Sequence, residues 1–318
     1  MSSVQGQLPL EDMPRRLYSC TPSRLNAWLD CRRRYRFSYL DRPQPSKGPA
    51  WAHNSVGASV HNALAGWWRE PYERRTPLTA AVLLTNGWIT EGFRDAEQSG
   101  RWLARARDLV SGYVATLDPA DEPVGVERTV ATRTKVIALS GRIDRLDRRG
   151  DELVVVDYKT GRRPLTQDDA RGSLALAAYA VAASSMLRTP CHEVELHHLP
   201  TGEIVQWRHT DESLARHLRR AEELASEAAE ADERYRAAVA APAKGRPAPR
   251  GQAPRTSASS SPGASARPSV GPAAVPPEID ELFAPSPGPI CSWCDFRRHC
   301  PEGQAVAPDR DPWSGLAE

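Results

Sequence analysis

The stretch that decides the fold is residues 141–161, which read GRIDRLDRRGDELVVVDYKTG. Residues 148–151 carry a Gly-Asp turn signal, so the segments on either side are predicted to pair as a β-hairpin. One arm carries Asp144, and the other is a valine run that ends in Asp157-Tyr158-Lys159. Charges at the edge of an apolar run cost free energy unless they are paired or bind a metal. The stretch therefore predicts a hairpin with a functional site at one end.

The charged residues of this hairpin are predicted to converge. Asp157 and Lys159 lie two apart on one strand and project from the same face, and the hairpin brings Asp144 towards them. Two neighbouring carboxylates repel unless a divalent cation lies between them, and Mg²⁺ suits such oxygen ligands. A lysine beside the cation can orient water or stabilise charge on a phosphate. The alternative is an ordinary surface hairpin whose charges form a weak salt bridge.

Apolar spacing and turn signals predict the elements on both sides of the hairpin. Thr21 and Pro22 suit the N-cap and the first position of a helix. Further helices are predicted at 56–69, at 79–117 with breaks at Gly87 and Gly100, at Leu174–Leu187 and at 211–239. Strands are predicted at 124–130, 134–146, 153–158, 194–199 and 203–208, the last two as a second hairpin. The chain is thus predicted to begin mainly helical and to continue with strands and helices.

Length, charge and hydropathy restrict the class of protein. The chain has 318 residues, enough for one large domain or two small ones, and its net charge of +2 identifies no partner. No apolar run is long enough to cross a bilayer, so no membrane partner is expected. The first residues lack the charged and apolar regions of a signal peptide, and we expect a cytoplasmic protein. Residues 1–16 are expected to be mobile, and 240–277, rich in Ala, Pro and Ser, to form a disordered linker.

A group of cysteines near the C-terminus is the second distinctive feature. Cys291, Cys294 and Cys300 lie close together in sequence. In a reducing compartment such spacing indicates a metal or cluster site rather than disulfides. Structural zinc and a 4Fe-4S cluster each take four ligands. The fourth must come from far along the chain, and the candidates are Cys20, Cys31 and Cys191. The alternative is a set of free cysteines in a small core.

A basic and aromatic segment is a candidate nucleic-acid contact. Arg32, Arg33 and Arg34 directly precede Tyr35. Such a group can bind phosphates and stack on unpaired bases. The alternative is a solvated helix end. Arg142, close to the acidic end of the hairpin, also favours a phosphate substrate.

The motifs GRIDRLD and LVVVDYKTG together resemble the core of the PD-(D/E)xK nucleases, specifically the RecB-like branch. The resemblance implies an α/β fold with a restriction-endonuclease-like core: a mixed central sheet flanked by helices, a helical N-terminal portion and a C-terminal cysteine segment. It implies that Asp144 and Asp157 bind the catalytic metal, Mg²⁺ or Mn²⁺, and that Lys159 is the active-site lysine. The family also carries a metal-binding histidine on an upstream helix, and His61 fits that place.

The resemblance extends to the cysteines. RecB-like nucleases with an iron-sulfur cluster carry one N-terminal cysteine and a C-terminal Cys-x2-Cys-x5-Cys group. Cys31 fits the N-terminal position, so the resemblance implies a 4Fe-4S cluster held by Cys31 and the C-terminal three.

Tyr179 matches the family's helical Gln-x-x-x-Tyr element, but the glutamine position is Ala175, and Tyr179 is expected to pack in the core. Glu127, on the strand before the hairpin, is a further candidate ligand.

The sequence therefore predicts a metal-dependent DNA exonuclease that acts on single-stranded ends in recombination or repair. The nuclease domain is assigned to residues 17–239, and the iron-sulfur segment and tail to 278–318. The sequence contains no Gly-x4-Gly-Lys-Ser/Thr motif, so unwinding would need a helicase or repair partner. The alternatives are a non-catalytic DNA-binding repair protein on the same fold and a zinc-stapled interaction module.

Overall fold

The computed structural model describes residues 17–240 and 276–316. The N-terminus expected to be mobile lies outside these residues, and so does nearly all of the expected linker. The strands are β1 (Tyr18–Cys20), β2 (Gly125–Arg133), β3 (Ile137–Arg149), β4 (Glu152–Lys159), β5 (Glu193–His198) and β6 (Glu203–Arg208). The helices are α1 (Pro22–Asp30), α2 (Arg32–Tyr39), α3 (Ala52–Arg69), α4 (Pro77–Asn86), α5 (Ala96–Val114), α6 (Gln167–Arg171), α7 (Leu174–Leu187), α8 (Asp211–Ala240), α9 (Pro277–Leu282) and α10 (Pro301–Val306).

The described strands form one mixed sheet in the order β1-β3-β4-β5-β6, with β2 also paired to β3. β3 and β4 are the predicted hairpin, in which Arg149 pairs with Glu152. Gly150 in the turn has a φ of 58°, a conformation that glycine adopts without strain. β4 and β5 run parallel, while β5 and β6 form the second predicted hairpin. The predicted α/β fold with a mixed central sheet flanked by helices is thereby confirmed.

A fork in the sheet sets the position of the candidate site. β3 pairs with β4 only from the turn to the pair Arg145–Val156. Its first residues pair instead with β1, in parallel and along the same edge. Residues 140–144 of β3 therefore have no partner on this edge among the described strands. Beyond the pair Arg145–Val156, the next two residues that face each other are Asp144 and Asp157. They therefore lie where β3 and β4 separate.

The sheet lies between two layers of helices. Val154 and Val156 of β4 pack with α3, α4 and α5. Leu153 and Val155 pack with α7 on the opposite face. This alternation is expected of a strand that is buried on both faces. A third apolar cluster joins α1, α2, α8 and α9 to the start of β3.

The helix predictions are confirmed except at one position. The predicted segment 79–117 is two helices, α4 and α5, and the break at Gly87 is confirmed. The break at Gly100 is wrong, because Gly100 lies exposed inside α5, where a glycine costs only about 1 kcal/mol. α1 begins as predicted, with the Thr21 hydroxyl accepting a hydrogen bond from the amide of Arg24. Within the described ranges, no helix is long and apolar enough to cross a membrane.

Candidate active site

The fork between β3 and β4 brings the acidic residues of the hairpin together. Asp144 and Asp157 are half-buried neighbours there, and Asp144 Oδ2 accepts a hydrogen bond of 2.9 Å from the amide of Tyr158. Lys159 leaves β4 on the same face as Asp157, and its Nζ lies 2.5 Å from Asp157 Oδ2. The structure thus places the side chains of Asp144, Asp157 and Lys159 next to one another at the fork.

Helix α3 supplies the histidine that the resemblance indicated. His61 Nδ1 lies 3.3 Å from Asp144 Oδ2, and the His61 ring stands edge-on to Tyr158 with centroids 5.9 Å apart. Burial alone would lower the pKa of His61, but Asp144, with further contributions from Asp157 and Glu127, raises it above its usual value. His61 therefore faces an excess of negative charge.

Glu127 completes a row of three carboxylates across β2, β3 and β4. The register of β2 against β3 places Glu127 opposite Asp144. One ligand atom from each of His61, Glu127 and Asp144 lies within 4.8 Å of the others. Glu127 has a φ of 48°, a left-handed conformation that is rare for glutamate and is often found at functional sites. Its carboxylate pairs with Arg142 at 2.7 Å.

The charges of this cluster fit a divalent cation. Burial raises the pKa of Asp157 above its ordinary value. The negative charge of Asp144 raises this pKa further, whereas the positive charge of Lys159 lowers it. Asp157 Oδ2 is buried and has no aligned hydrogen bond to any described residue, although Lys159 is close enough for an ion pair. Carboxylate oxygens with one imidazole nitrogen are donors that Mg²⁺ and Mn²⁺ accept. A candidate acidic metal site thus exists at the fork.

The cluster opens into a cleft of about 700 Å³. Arg142 and Arg162 line this cleft and are exposed, so they can bind phosphate groups. Aromatic side chains from distant parts of the chain line it as well: His53, Trp102 and Trp293. The volume is in the range of ligand-binding sites, and the mixture of acidic, basic and aromatic groups suits a nucleic-acid strand.

Tyr179 lies beside this cluster as well as in the core. It packs against the apolar cluster around α7, as expected. Its ring also covers Gly141, where any side chain would collide with it. Burial raises the pKa of the Tyr179 hydroxyl, and the carboxylates of Asp157 and Asp144 add to this effect. The glycine that opens the GRIDR motif is thus explained by the close approach of Tyr179.

The four cysteines that the resemblance implies as cluster ligands line one small cavity: Cys31, Cys291, Cys294 and Cys300. The other candidates for a fourth ligand are buried elsewhere, Cys20 in the cluster around α1 and α8 and Cys191 in the cluster around α7. All these cysteines are free thiols. The structure thus joins Cys31 to the C-terminal group.

Backbone groups approach the sulfurs of these cysteines closely. The amide of Gly288 points at Cys291 Sγ over 3.4 Å, and such hydrogen bonds stabilise thiolate ligands. Gly303 lines the cavity, and a Cβ there would lie 3.4 Å from the sulfurs of both Cys291 and Cys300. Gly303 therefore brings the backbone into contact with both sulfurs.

The segment predicted to contact DNA forms helix α2, and two of its residues face inward. Arg33 lies 2.9 Å from both Asp280 and Glu302. Tyr35 is fully buried and donates a hydrogen bond of 2.9 Å to Asp232. The prediction that Tyr35 stacks on bases is therefore wrong, because its ring has no exposed face. The acids that bind Arg33 and Tyr35 lie far along the chain and could not be assigned from local sequence.

The remaining residues predicted to contact DNA differ in their surroundings. Arg32 and Arg34 are partly exposed and form ion pairs with Glu227 and Asp30. Arg142 lines the cleft beside Glu127. Of the residues predicted to contact DNA, Arg142 is therefore the one that lies at the candidate active site.

Comparison with known proteins agrees with this geometry. The sequence model of the PD-(D/E)XK nuclease superfamily matches residues 19–301. This range covers most of the chain and includes every residue of the acidic cluster at the fork. No curated protein sequence matches the chain significantly. The chain therefore belongs to the PD-(D/E)XK nuclease superfamily.

Proposed function

We propose that this protein is a metal-dependent DNA exonuclease of the RecB-like branch, acting on single-stranded ends in recombination or repair. Membership of the superfamily suggests nuclease activity on DNA. The observation that carries the proposal is the row of Glu127, Asp144 and Asp157 at the fork, with His61 and Lys159 beside it. These residues combine cation donors with the exposed ammonium group of Lys159, beside a cleft that can hold a strand.

Each residue of the cluster has a proposed role. Asp144, Asp157 and His61 would hold a Mg²⁺ or Mn²⁺ ion. Glu127, which with His61 and Asp144 forms the group whose ligand atoms lie within 4.8 Å of one another, would be an additional donor. Such an ion, when bound, polarises the phosphodiester as a Lewis acid. Lys159, exposed beside Asp157, donates hydrogen bonds to the attacking water or to a phosphate oxygen on which negative charge develops.

The lining of the cleft supports a single-stranded substrate. Arg142 and Arg162 are positioned to bind its phosphates, and the aromatic side chains can stack on its bases. A single strand is flexible enough to follow the cleft, whereas duplex DNA is stiff over tens of base pairs. The proposal includes a cytoplasmic location and a helicase or repair partner that supplies the single strands.

Cleavage assays on the purified protein test the proposed chemistry. With Mn²⁺ and end-labelled single-stranded DNA, we expect Asp157→Ala and Lys159→Ala to lose at least about a hundredfold in rate. Asp151→Ala, at the exposed tip of the same hairpin, is the matched control and should retain the wild-type rate. Equal cleavage by the wild type and Asp157→Ala would show that the activity belongs to a contaminant.

Substrate topology separates an exonuclease from an endonuclease. An exonuclease degrades linear single strands and leaves circular ones intact. Cleavage of the circle would contradict the exonuclease assignment and leave the nuclease assignment standing. DNA binding by the wild type without cleavage would instead favour the alternative, a non-catalytic DNA-binding repair protein.

We further propose a 4Fe-4S cluster held by Cys31, Cys291, Cys294 and Cys300, with residues 278–318 as the iron-sulfur segment and tail and 17–239 as the nuclease domain. The cavity that these four cysteines line together supports the proposal, and the family resemblance favours the iron-sulfur cluster over zinc.

Metal analysis tests the cluster. Protein purified without oxygen should contain iron and absorb visible light, and Cys31→Ser should lose most of both. Cys20→Ser removes a cysteine that lies outside the cavity and is the matched control. Stoichiometric zinc in place of iron would favour the zinc-stapled alternative.

A further inference from the structure

The cleft contains a second group of residues that the proposed cleavage chemistry does not use. His53 and Trp293 line the cleft together with the acidic cluster. His53 comes from the start of α3, whereas Trp293 lies between Cys291 and Cys294. The two rings meet edge-on with centroids 5.3 Å apart. The cleft therefore has an aromatic region in addition to its charged region.

Contacts on several sides hold these two rings in place. The Trp51 ring lies 5.1 Å from that of Trp293 and 6.1 Å from that of His53, centroid to centroid. Gly315 approaches His53 so closely that a Cβ there would lie 2.5 Å from Nδ1. The Arg310 guanidinium lies 4.9 Å from the centroid of Trp293. Rings fixed in this way lose little conformational entropy when a ligand binds.

The chemistry of the aromatic region matches a nucleobase. Trp293 is half-buried, so part of its ring faces the cleft. His53 Nδ1 is buried and has no hydrogen-bond partner among the described residues. Burial lowers the pKa of His53, which favours a neutral ring suited to an uncharged base. Arg310, exposed next to Trp293, is positioned to bind the phosphate beside such a base.

The length of α3 between His53 and His61 sets how many nucleotides of a bound strand separate the acidic cluster from the aromatic region. His53 and His61 lie about 12 Å apart along the helix, which rises 1.5 Å per residue. His61 contacts the acidic cluster through Asp144, and His53 contacts Trp293. Nucleotides of a stacked strand follow one another at about 3.4 Å, and those of an extended strand at a larger spacing. The interval therefore corresponds to about two to four nucleotides.

We propose that His53 and Trp293 form a subsite for an unpaired nucleobase about two to four nucleotides from the scissile phosphate. The inference rests on the proposed nuclease function and adds a contact that selects single strands. A paired base in a duplex is stacked on both faces, so it cannot offer a face to Trp293. Base stacking on an aromatic side chain changes affinity by roughly tenfold.

Oligonucleotides with one abasic position test the subsite. In steady-state cleavage by the wild type, an abasic nucleotide two to four positions from the cleaved bond should raise KM about tenfold and leave kcat unchanged. An abasic nucleotide further away should have no effect. Trp293→Ala should raise KM about tenfold for the intact strand and abolish the effect of the abasic position, whereas Trp293→Phe should retain it. Trp207→Ala, on β6 and outside the cleft, is the control.

Two outcomes would contradict different parts of the inference. An abasic effect that persists in Trp293→Ala overturns the subsite and would mean that Trp293 only packs the cysteine segment against α3. Loss of iron or a lower Tm in Trp293→Ala, without loss of the abasic effect, leads to the same conclusion. Absence of cleavage by the wild type contradicts the nuclease proposal, and anisotropy measurements of binding to the same oligonucleotides then test the subsite independently.

Discussion

Asp157 carries a charge that its surroundings disfavour when no cation is bound. Burial and Asp144 raise its pKa, although Lys159 lies beside it. A raised carboxyl pKa means that ionisation destabilises the fold. This destabilisation is absent below the unfolded pKa of about 3.9 and grows as pH rises from there to the folded pKa. At neutral pH the burial of the Asp157 carboxyl therefore makes the cation-free protein less stable.

We expect Asp157→Asn to raise the Tm of the cation-free protein at pH 7 while abolishing cleavage. Mn²⁺ should raise the Tm of the wild type, because at 100 times Kd it adds about 2.7 kcal/mol to the free energy of unfolding. It should raise the Tm of Asp157→Asn much less. Thermal unfolding with EDTA and with Mn²⁺ measures both effects. Asp151→Asn, exposed in the turn, should behave as the wild type. A cation-free Asp157→Asn protein that is less stable than the wild type would contradict this interpretation.

His209, between β6 and α8, titrates in a region separate from the acidic cluster. Burial lowers its pKa to about 4, and His217 and His192 add repulsion. Its Nδ1 lies 2.8 Å from the Ser213 hydroxyl, and its Nε2 is buried with no partner within the described part of the chain. A proton on Nε2 would therefore have no acceptor.

The stability that depends on neutral His209 should be lost in acid. A lowered histidine pKa means that this stability is present above the unfolded pKa of about 6.5 and is lost as pH falls through about 4. We expect a loss on the order of 3 kcal/mol over this interval, measured by denaturant unfolding. His209→Gln should show a shallower pH dependence, and His299→Gln, at an exposed position, an unchanged one. The same slope in all three proteins would refute the assignment.

Local sequence rules were sufficient for part of the candidate site. The turn at Gly150 and the alternation along β4 predict that Asp144, Asp157 and Lys159 meet. The place of Glu127 depends on the register of β2 against β3 and on a left-handed backbone, neither of which its local sequence signals. His61 approaches the cluster only because α3 packs on β4, and it was found through the family resemblance alone.

Between elements, α7 approaches β3 closely beside the site. Gly141 of β3 has no space for a side chain, because the ring of Tyr179 lies directly over it. We expect Gly141→Ala to displace Tyr179 and to reduce the free energy of unfolding by about 1–3 kcal/mol. Chemical denaturation measures this loss, and pairing Gly141→Ala with Tyr179→Ala should show that the two losses are not additive.

Gly100 of α5 is the matched control for this prediction. It is exposed, and nothing lies within 4 Å of a Cβ built there. Gly100→Ala should therefore stabilise the protein, by up to about 1 kcal/mol, because alanine is the better helix former. If both alanine variants changed stability equally, close packing by Tyr179 would not be the cause of the loss at Gly141.

In the whole molecule, helix α2 holds the C-terminal segment through Arg33. The Arg33 side chain is 11% exposed, and its guanidinium pairs with Asp280 of α9 and Glu302 of α10. We expect Arg33→Gln to accelerate amide hydrogen exchange in both helices at least about fivefold, since charged hydrogen bonds contribute about 1.5–3 kcal/mol. Arg32→Gln, whose exposed pair with Glu227 contributes little, is the control. Unchanged exchange in Arg33→Gln would show that other contacts hold the segment.

Contacts over long sequence distances were beyond prediction from local pattern. Cys31 meets Cys291 across about 260 residues, and the closure entropy of such a loop grows only as the logarithm of its length. No local signal distinguishes Cys31 from Cys20 or Cys191, and only the family resemblance selected it. The layers of the sheet, in contrast, follow from apolar alternation such as that of Val154, Val155 and Val156.

Because the side chains of Arg33 and Arg36 are largely buried against Asp280, they do not reach DNA phosphates and displace no counterions from DNA. Binding would then depend on three cationic side chains at or beside the cleft, Arg142, Arg162 and Arg310. For a single strand, three phosphate contacts correspond to a slope of about −2 in log affinity against log salt concentration. Raising the salt from about 50 to 200 mM should weaken binding only about twentyfold. Such a protein stays on its strand at ionic strengths that remove proteins held mainly by surface charge.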